Sequence, residues 1–193
     1  MSDVGLRERK KAATRDALIE VGLELFAADG VDAVSVEQIA ARVDVSARTF
    51  HRYFASKDDV LFADSDERRR RMVEVVDTRP AGEPILDTLR AAALELVNTY
   101  ADAPRQARAR QRIIEGNERL RARSLRNSEE FADVLAAHAA PRLGAKADDA
   151  QPRLLAAWTL ASLRVAHRRW LEHPRIDLRA EVDAAFDLLA ATR

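Results

Sequence analysis

The chain has 193 residues, with 32 basic and 32 acidic side chains and no cysteine. This length can bury a hydrophobic core without crosslinks, and the lack of cysteine excludes disulfides, thiol nucleophiles and cysteine metal sites. The balanced charge does not indicate a polyanionic partner, and no apolar run approaches the roughly 20 residues of a membrane span. We therefore expect a cytoplasmic protein with no membrane partner.

Helices are expected along the whole chain. Only six glycines and six prolines interrupt long segments rich in Ala, Leu, Arg and Glu, which favours an all-α fold of about nine helices. The first predicted helix spans residues 8–28. Ser35, followed by Gln38 three residues later, predicts a capping box at the start of a short second helix. Ser46 predicts the cap of a third helix over residues 47–54.

The remaining elements follow after a second capping signal. Ser56, followed by Asp59, predicts a fourth helix that extends to about residue 77. Breaks at Pro and Gly then separate five further helices, near residues 84–101, 104–115, 117–143, 149–173 and 177–191.

The third predicted helix has an apolar face and a basic face. Phe50 and Phe54 are four residues apart, so they share the side that packs on the core. Arg48, His51 and Arg52 fall on the opposite side, where basic donors can reach base edges in the major groove of DNA. Two short helices joined by a tight turn, after a longer helix, are the elements of a helix-turn-helix unit.

Bulk charge does not support this interpretation by itself. Residues 1–62 carry nine basic and eleven acidic side chains, a net charge of −2. The DNA-binding hypothesis therefore depends on where the basic side chains point. On spacing alone, a solvated helix face explains the basic residues equally well.

Residues 14–62 carry a dense set of matches to one known pattern. The matching positions are Leu25-Phe26, Gly30, Val36 with Ile39-Ala40, Val45-Ser46, Thr49-Phe50, Arg52-Tyr53-Phe54, Ser56-Lys57 and Leu61. This segment resembles the DNA-binding domain of the TetR family of transcriptional regulators. The resemblance implies a helix-turn-helix domain at residues 8–62, a helical ligand-binding and dimerisation domain at residues 63–193, and a double-stranded DNA operator as partner.

The same resemblance implies which residues contact DNA. These are Ala47, Arg48, Thr49, His51, Arg52, Tyr53 and Lys57. An arginine fork can pair with both guanine acceptors, whereas hydroxyl and ammonium groups suit phosphates, so Arg48 is expected to read bases and Lys57 to fix register. Two positions depart from the family pattern, because Asp44 replaces the usual turn glycine and His51 replaces tyrosine.

The last two predicted helices carry apolar stripes that we expect to form a homodimer. The predicted interface residues are Leu155, Ser162, Val165, Val182, Phe186 and Leu189. In the TetR family the corresponding helices pair with their copies, and a two-fold dimer would place two recognition helices about 34 Å apart on a near-palindromic site. The alternative is that the stripes form only an internal core.

Arginine is concentrated at residues 105–126, where eight arginines face two glutamates, a net charge of +6. Solvated helix faces explain this cluster, and so does a site for a phosphate-bearing ligand. The later sequence resembles the ligand-binding domain of TetR regulators similar to the mycofactocin-system regulator, which implies an acyl-CoA or related amphipathic effector. The candidate ligand-binding residues are Arg112, Arg119, Arg123 and Trp158.

Two other classes of protein remain as alternatives. An enzyme is disfavoured because the four histidines form no Glu-x-x-His pairs and no His-Glu-x-x-His run, and no nucleophile elbow or phosphate loop is present. We therefore expect no catalytic residue, metal site or cofactor. A helical protein-interaction module would explain the apolar stripes but would leave the basic face of the third helix without a role.

Overall fold

The computed structural model describes residues 3–98, 100, 103–173 and 175–191, and the all-α prediction is confirmed within these ranges. The helices are α1 Asp3–Asp29, α2 Val36–Arg42, α3 Ala47–His51, α4 Ser65–Thr78, α5 Ile85–Asn98, α6 Pro104–Gly116, α7 Glu118–Ala139, α8 Ala150–Glu172 and α9 Leu178–Ala191. Two 3₁₀ segments, Lys57–Phe62 and Ala140–Leu143, follow α3 and α7 respectively. None of the helices described is both long and apolar enough to cross a membrane.

The chain forms two compact units. The first comprises residues up to Ala63 together with Arg105–Leu120, and the second comprises Asp64–Pro104 and the residues from Arg121 onward. Residues 105–120, which are most of α6 and the start of α7, therefore pack with the N-terminal helices. The sequence pattern gave no indication of this second segment of the first unit.

The core of the first unit is built from apolar side chains on α1, α2, α3 and the 3₁₀ segment that follows. Leu18, Ile39 and Phe50 are each fully buried in it. Ile114 at the end of α6 and Leu120 at the start of α7 join the same core, at 4% and 0% exposure. The turn between α6 and α7 is therefore fixed to the helix-turn-helix region by hydrophobic packing.

The second unit packs α4, α5, α8 and α9 against one another. Phe186 of α9 is buried and meets the Trp158 ring edge-on, with ring centroids 4.7 Å apart. The Arg90 guanidinium of α5 also lies over the Phe186 ring, 5.8 Å from its centroid. Arg90 also pairs with Asp187 of α9 at 2.5 Å, so polar contacts at the rim orient the same two helices.

Several helices differ from their predicted bounds. The third helix ends at His51 rather than at residue 54, and the helix predicted near residues 117–143 ends at Ala139, where a 3₁₀ segment follows. The helix predicted from residue 56 to about 77 is divided, because the 3₁₀ segment Lys57–Phe62 ends before α4 begins at Ser65. Asp66 and Glu67 in the first turn of α4 supply a second N-terminal charge signal, which favours a new start there. At the other end of the unit, α1 begins at Asp3, five residues before the predicted start at residue 8.

Candidate nucleic-acid interface

The start of α3 is fixed by local hydrogen bonds. The Ser46 hydroxyl accepts from the Thr49 backbone N–H at 3.1 Å, which caps the helix as predicted. The preceding turn contains Asp44 with a φ of 55°, a left-handed conformation that aspartate tolerates better than most residues. The chain can therefore turn sharply between α2 and α3 without the glycine usual at this position.

The capping box of α2 is also confirmed. The Gln38 N–H donates to the Ser35 hydroxyl at 3.2 Å, and the Ser35 N–H donates to the Gln38 side-chain carbonyl at 2.7 Å. These reciprocal bonds set the direction in which α2 leaves the loop after α1. Together with the α3 cap, they fix both short helices of the helix-turn-helix.

The inner face of α3, together with the turn that follows it, is held by aromatic packing. Phe50 is fully buried and Phe54 is 6% exposed, with their ring centroids 5.4 Å apart. Arg15 of α1 lies over the Phe54 ring at 5.9 Å and donates to the Ala63 carbonyl at 2.6 Å. One side of α3 is thus locked to α1 and to the end of the 3₁₀ segment, as a recognition helix requires.

The outer face of α3 is open to solvent. Arg48, His51 and Arg52 are exposed, while Ala47 and Thr49 are partly exposed. In the part of the chain that the structure describes, neither the Arg48 nor the His51 side chain makes a hydrogen bond or an ion pair. The His51 ring meets Phe50 edge-on at 5.7 Å, and Arg52 lies over the Tyr53 ring at 5.4 Å. Two donors on this face are therefore available to an external acceptor.

Lys57 lies in a different environment from the other candidate DNA contacts. It is half-buried, and its Nζ donates to the Val34 carbonyl at 2.6 Å and to the Asp32 carbonyl at 3.3 Å. These bonds use two of the three ammonium donors, so one is left for a phosphate. Lys57 therefore joins the loop before α2 to the 3₁₀ segment, a structural link that sequence spacing did not indicate.

The four candidate ligand residues do not lie in one unit. Arg112 and Arg119 belong to the first unit, whereas Arg123 and Trp158 belong to the second. Arg112 lines an open groove of about 410 Å³ beside the loop after α1, and Arg119 pairs with Asp58 and Asp32. Among the described residues, no group of three or more acidic or histidine side chains could hold a metal ion.

The predicted dimer residues also separate into two sets. Ser162, Val182 and Phe186 are buried at 8%, 0% and 1% exposure, so they fill the interior of the second unit and present no surface to a partner. Leu155 and Leu189 are half-buried, and Val165 is 59% exposed. Two more apolar side chains on these helices are exposed, Leu154 at 67% and Leu188 at 73%, and the sequence pattern did not indicate them.

Known proteins match the chain over nearly its whole length. Residues 18–63 match the family model described as bacterial regulatory proteins of the tetR family, and residues 83–193 match the model described as the MftR C-terminal domain.

Three individual proteins illustrate the similarity. The chain is 37% identical to the "HTH-type transcriptional regulator TcmR" of Streptomyces glaucescens, over 95% of this chain and 84% of that protein. It is 31% identical to the "Putative mycofactocin biosynthesis transcriptional regulator MftR" of Mycobacterium tuberculosis, over 95% and 92% of the two chains. Among solved structures, the SmeT–triclosan complex has the same fold, with a TM-score of 0.66, 19% identity and coverage of 93% and 91%.

Proposed function

The chain belongs to the TetR family of transcriptional regulators, and on this premise we propose that it is a cytoplasmic, ligand-responsive repressor that binds a near-palindromic operator as a homodimer. Proteins of this family are in general regulators rather than enzymes. The proposal assigns the outer face of α3 to the major groove and the second unit to effector binding and dimerisation.

The observation that carries the DNA-binding proposal is the division of α3 into a locked and an open face. Phe50 and Phe54 hold the helix on the core, while the exposed Arg48 and His51 side chains make no hydrogen bond or ion pair among the described residues. A side chain can read a base edge only when its backbone is held in register, because a loosely held helix cannot place donors to within a few tenths of an ångström. This arrangement supports Arg48 as the principal base-reading residue.

Arg48→Ala is expected to weaken binding to the operator by about 1–3 kcal/mol, because a bidentate arginine–guanine pair contributes about that much discrimination. Binding to duplexes of unrelated sequence should change much less. The two dissociation constants can be measured by fluorescence anisotropy, with an operator selected from DNA upstream of the protein's own gene.

Arg42→Ala is the matched control, since Arg42 is an exposed arginine at the end of α2 that has no proposed base contact. It removes the same charge from the same unit and should affect operator and unrelated DNA equally. Equal losses for the Arg48 variant on both DNAs would contradict its assignment as a base reader. A wild-type protein that shifts no DNA fragment at low salt would contradict the whole proposal and favour a helical interaction module.

We further propose that the effector is an acyl-CoA or another amphipathic molecule bound by the second unit. The match of residues 83–193 to the MftR C-terminal domain supports this, and Arg123 and Trp158 of that unit are the candidate contacts. Linkage requires effector and operator to weaken one another by the same factor, typically about 5–150-fold. Mass spectrometry of small molecules that copurify with the protein would identify the effector, and operator affinity that stays unchanged when this molecule is saturating would contradict the proposal.

A further inference from the structure

The α6–α7 corner, residues 114–120, packs within the first unit, and we propose that Arg119 in this corner is a positioning residue for operator binding. Arg119 holds Asp58 and Asp32 in place. Asp58 lies in the segment that carries Lys57, and Asp32 lies in the loop that leads into α2. This inference rests on the proposed DNA-binding function. It assigns to Arg119 a role in the helix-turn-helix unit, although the arginine lies in a part of the sequence that follows α5.

The first observation is the pairing of Arg119 with a buried carboxylate. Asp58 is 6% exposed, and its two carboxylate oxygens accept from Nη1 and Nη2 of Arg119, the latter at 3.3 Å. A buried carboxylate without a partner is strongly disfavoured, so Asp58 can remain in this position only while the guanidinium satisfies it. The pair therefore fixes the first turn of the 3₁₀ segment to the start of α7.

A second set of contacts joins the same corner to the loop before α2. Nη2 of Arg119 also donates to the Asp32 carboxylate at 3.4 Å, and the Asn117 side-chain amide donates to its other oxygen at 3.3 Å. The Asn117 side-chain carbonyl meanwhile accepts from the Leu120 N–H at 3.2 Å, which caps α7. Asn117 thus fixes the helix start from which Arg119 projects.

The contacts of Arg119 lie next to Lys57, which is a candidate phosphate contact. Lys57 directly precedes Asp58, and its ammonium donates to the carbonyls of Asp32 and Val34. The two acidic residues held by Arg119 therefore lie on the two segments that Lys57 connects. Without Arg119, Asp58 loses its counterion. Both the 3₁₀ segment and the loop entering α2 then lose a contact that holds them in position.

A positioning role for Arg119 can be distinguished from a direct contact with a DNA phosphate and from a contact with an effector. Nη1 and Nη2 of the guanidinium are engaged by two carboxylates on the protein itself, which supports a positioning role over a direct phosphate or effector contact. Loss of a direct phosphate contact lowers the slope of log K against log salt by about 0.9, because one fewer counterion is released. Loss of a positioning residue lowers the affinity and leaves that slope unchanged.

The test compares Arg119→Ala with wild type in operator binding across a series of salt concentrations. We expect the dissociation constant to rise about tenfold, within the range usual for coupling between sites, with an unchanged salt slope. Arg105→Ala is the control, because it removes an exposed arginine of the first turn of α6 from the same unit and should leave both quantities at wild-type values.

A second variant keeps the test decisive if Arg119→Ala does not fold. Asp58→Asn in the Arg119→Ala background removes the uncompensated buried charge, so the double variant should fold and still bind the operator about tenfold more weakly than wild type. Wild-type affinity in either folded variant, or a salt slope reduced by about 0.9, overturns the inference. Failure of wild type itself to bind DNA would instead overturn the proposed function, so the two failures can be distinguished.

Discussion

The imidazole of His167 is enclosed within the second unit. Its Nδ1 donates to the Leu163 carbonyl at 2.9 Å, and its ring meets Tyr100 edge-on at 4.9 Å. Although the residue as a whole is half-buried, Nε2 is inaccessible to solvent and has no hydrogen-bond partner among the described residues. Burial, with a further contribution from Arg68, lowers the pKa of His167 to about 4, so the fold favours the neutral ring.

The stability of the protein should therefore depend on pH through His167. In the unfolded chain a histidine takes up its proton near pH 6.5, whereas the folded chain resists protonation until about pH 4. The free energy of unfolding should consequently fall as the pH decreases from 6.5 to 4, by up to about 3 kcal/mol from this residue. Urea unfolding of wild type and His167→Asn at several pH values measures the difference.

His173→Asn is the control for this experiment, since His173 is exposed at the end of α8. The stability of the His173 variant should depend on pH as that of wild type does, because His167 is unchanged in it. The His167 variant should show a shallower loss of stability over the same interval. Parallel curves for all three proteins would show that the fold does not oppose protonation of His167.

At the scale of single helices, the close approach of α1 to the 3₁₀ segment depends on Gly22. A Cβ placed on Gly22 would lie 2.8 Å from Cγ1 of Val60, a fully buried and β-branched side chain that has little freedom to move. Gly5 lies in the same helix, but a Cβ there would meet nothing within 4 Å among the described atoms. Comparing an alanine substitution at each glycine therefore separates the effect of helix propensity on stability from the effect of packing.

Gly22→Ala should destabilise the protein and Gly5→Ala should not. Alanine improves helix propensity by about 1 kcal/mol in a helix interior, and by less near a helix start. Overpacking typically costs about 1–3 kcal/mol, so at Gly22 the net effect is a loss of up to about 2 kcal/mol. Denaturant unfolding midpoints measure both variants, and a Gly22 variant at least as stable as the Gly5 variant would show that Val60 can give way.

The start of a helix could be predicted where the capping residues lie within a few positions of one another. Ser35 with Gln38, and Ser46 ahead of α3, were identified because a cap needs only its own side chain and the next three backbone positions. The continuous helix predicted after Ser56 was wrong, because apolar spacing continues through residues 57–62 although the backbone there is 3₁₀. Periodicity does not distinguish a helix that continues from one that stops and restarts.

At the scale of the whole molecule, the same limitation affects the dimer surface. The stripe on α9 indicated that Val182 and Phe186 face apolar surroundings, but the pattern does not say which chain supplies those surroundings. The structure covers both residues with the second unit's own helices. Likewise, the partner of Arg119 is Asp58, 61 positions earlier, and no local pattern relates two residues at that separation.

The apolar side chains that remain uncovered on α8 and α9 define the dimer surface we expect. Leu154, Val165 and Leu188 are each more than half exposed. Leu154 and Val165 are eleven residues apart, close to three helical turns, and therefore lie on one face of α8. Exposed large apolar side chains on two helices that pack together are typical of an interaction surface, and a two-fold axis would bring this face against its own copy.

Val165→Glu should convert the expected homodimer to monomers. Each substitution occurs twice across a two-fold interface, so lost burial alone costs roughly 3 kcal/mol or more, which is over a hundredfold in the dimer dissociation constant. Leu125→Glu is the control, because Leu125 is a 46% exposed leucine on α7, outside the proposed surface. Analytical ultracentrifugation should show monomers only for the Val165 variant, which should also lose tight operator binding because a single recognition helix cannot engage both half-sites. A Val165 variant that sediments as a dimer would place the interface on another face of the molecule.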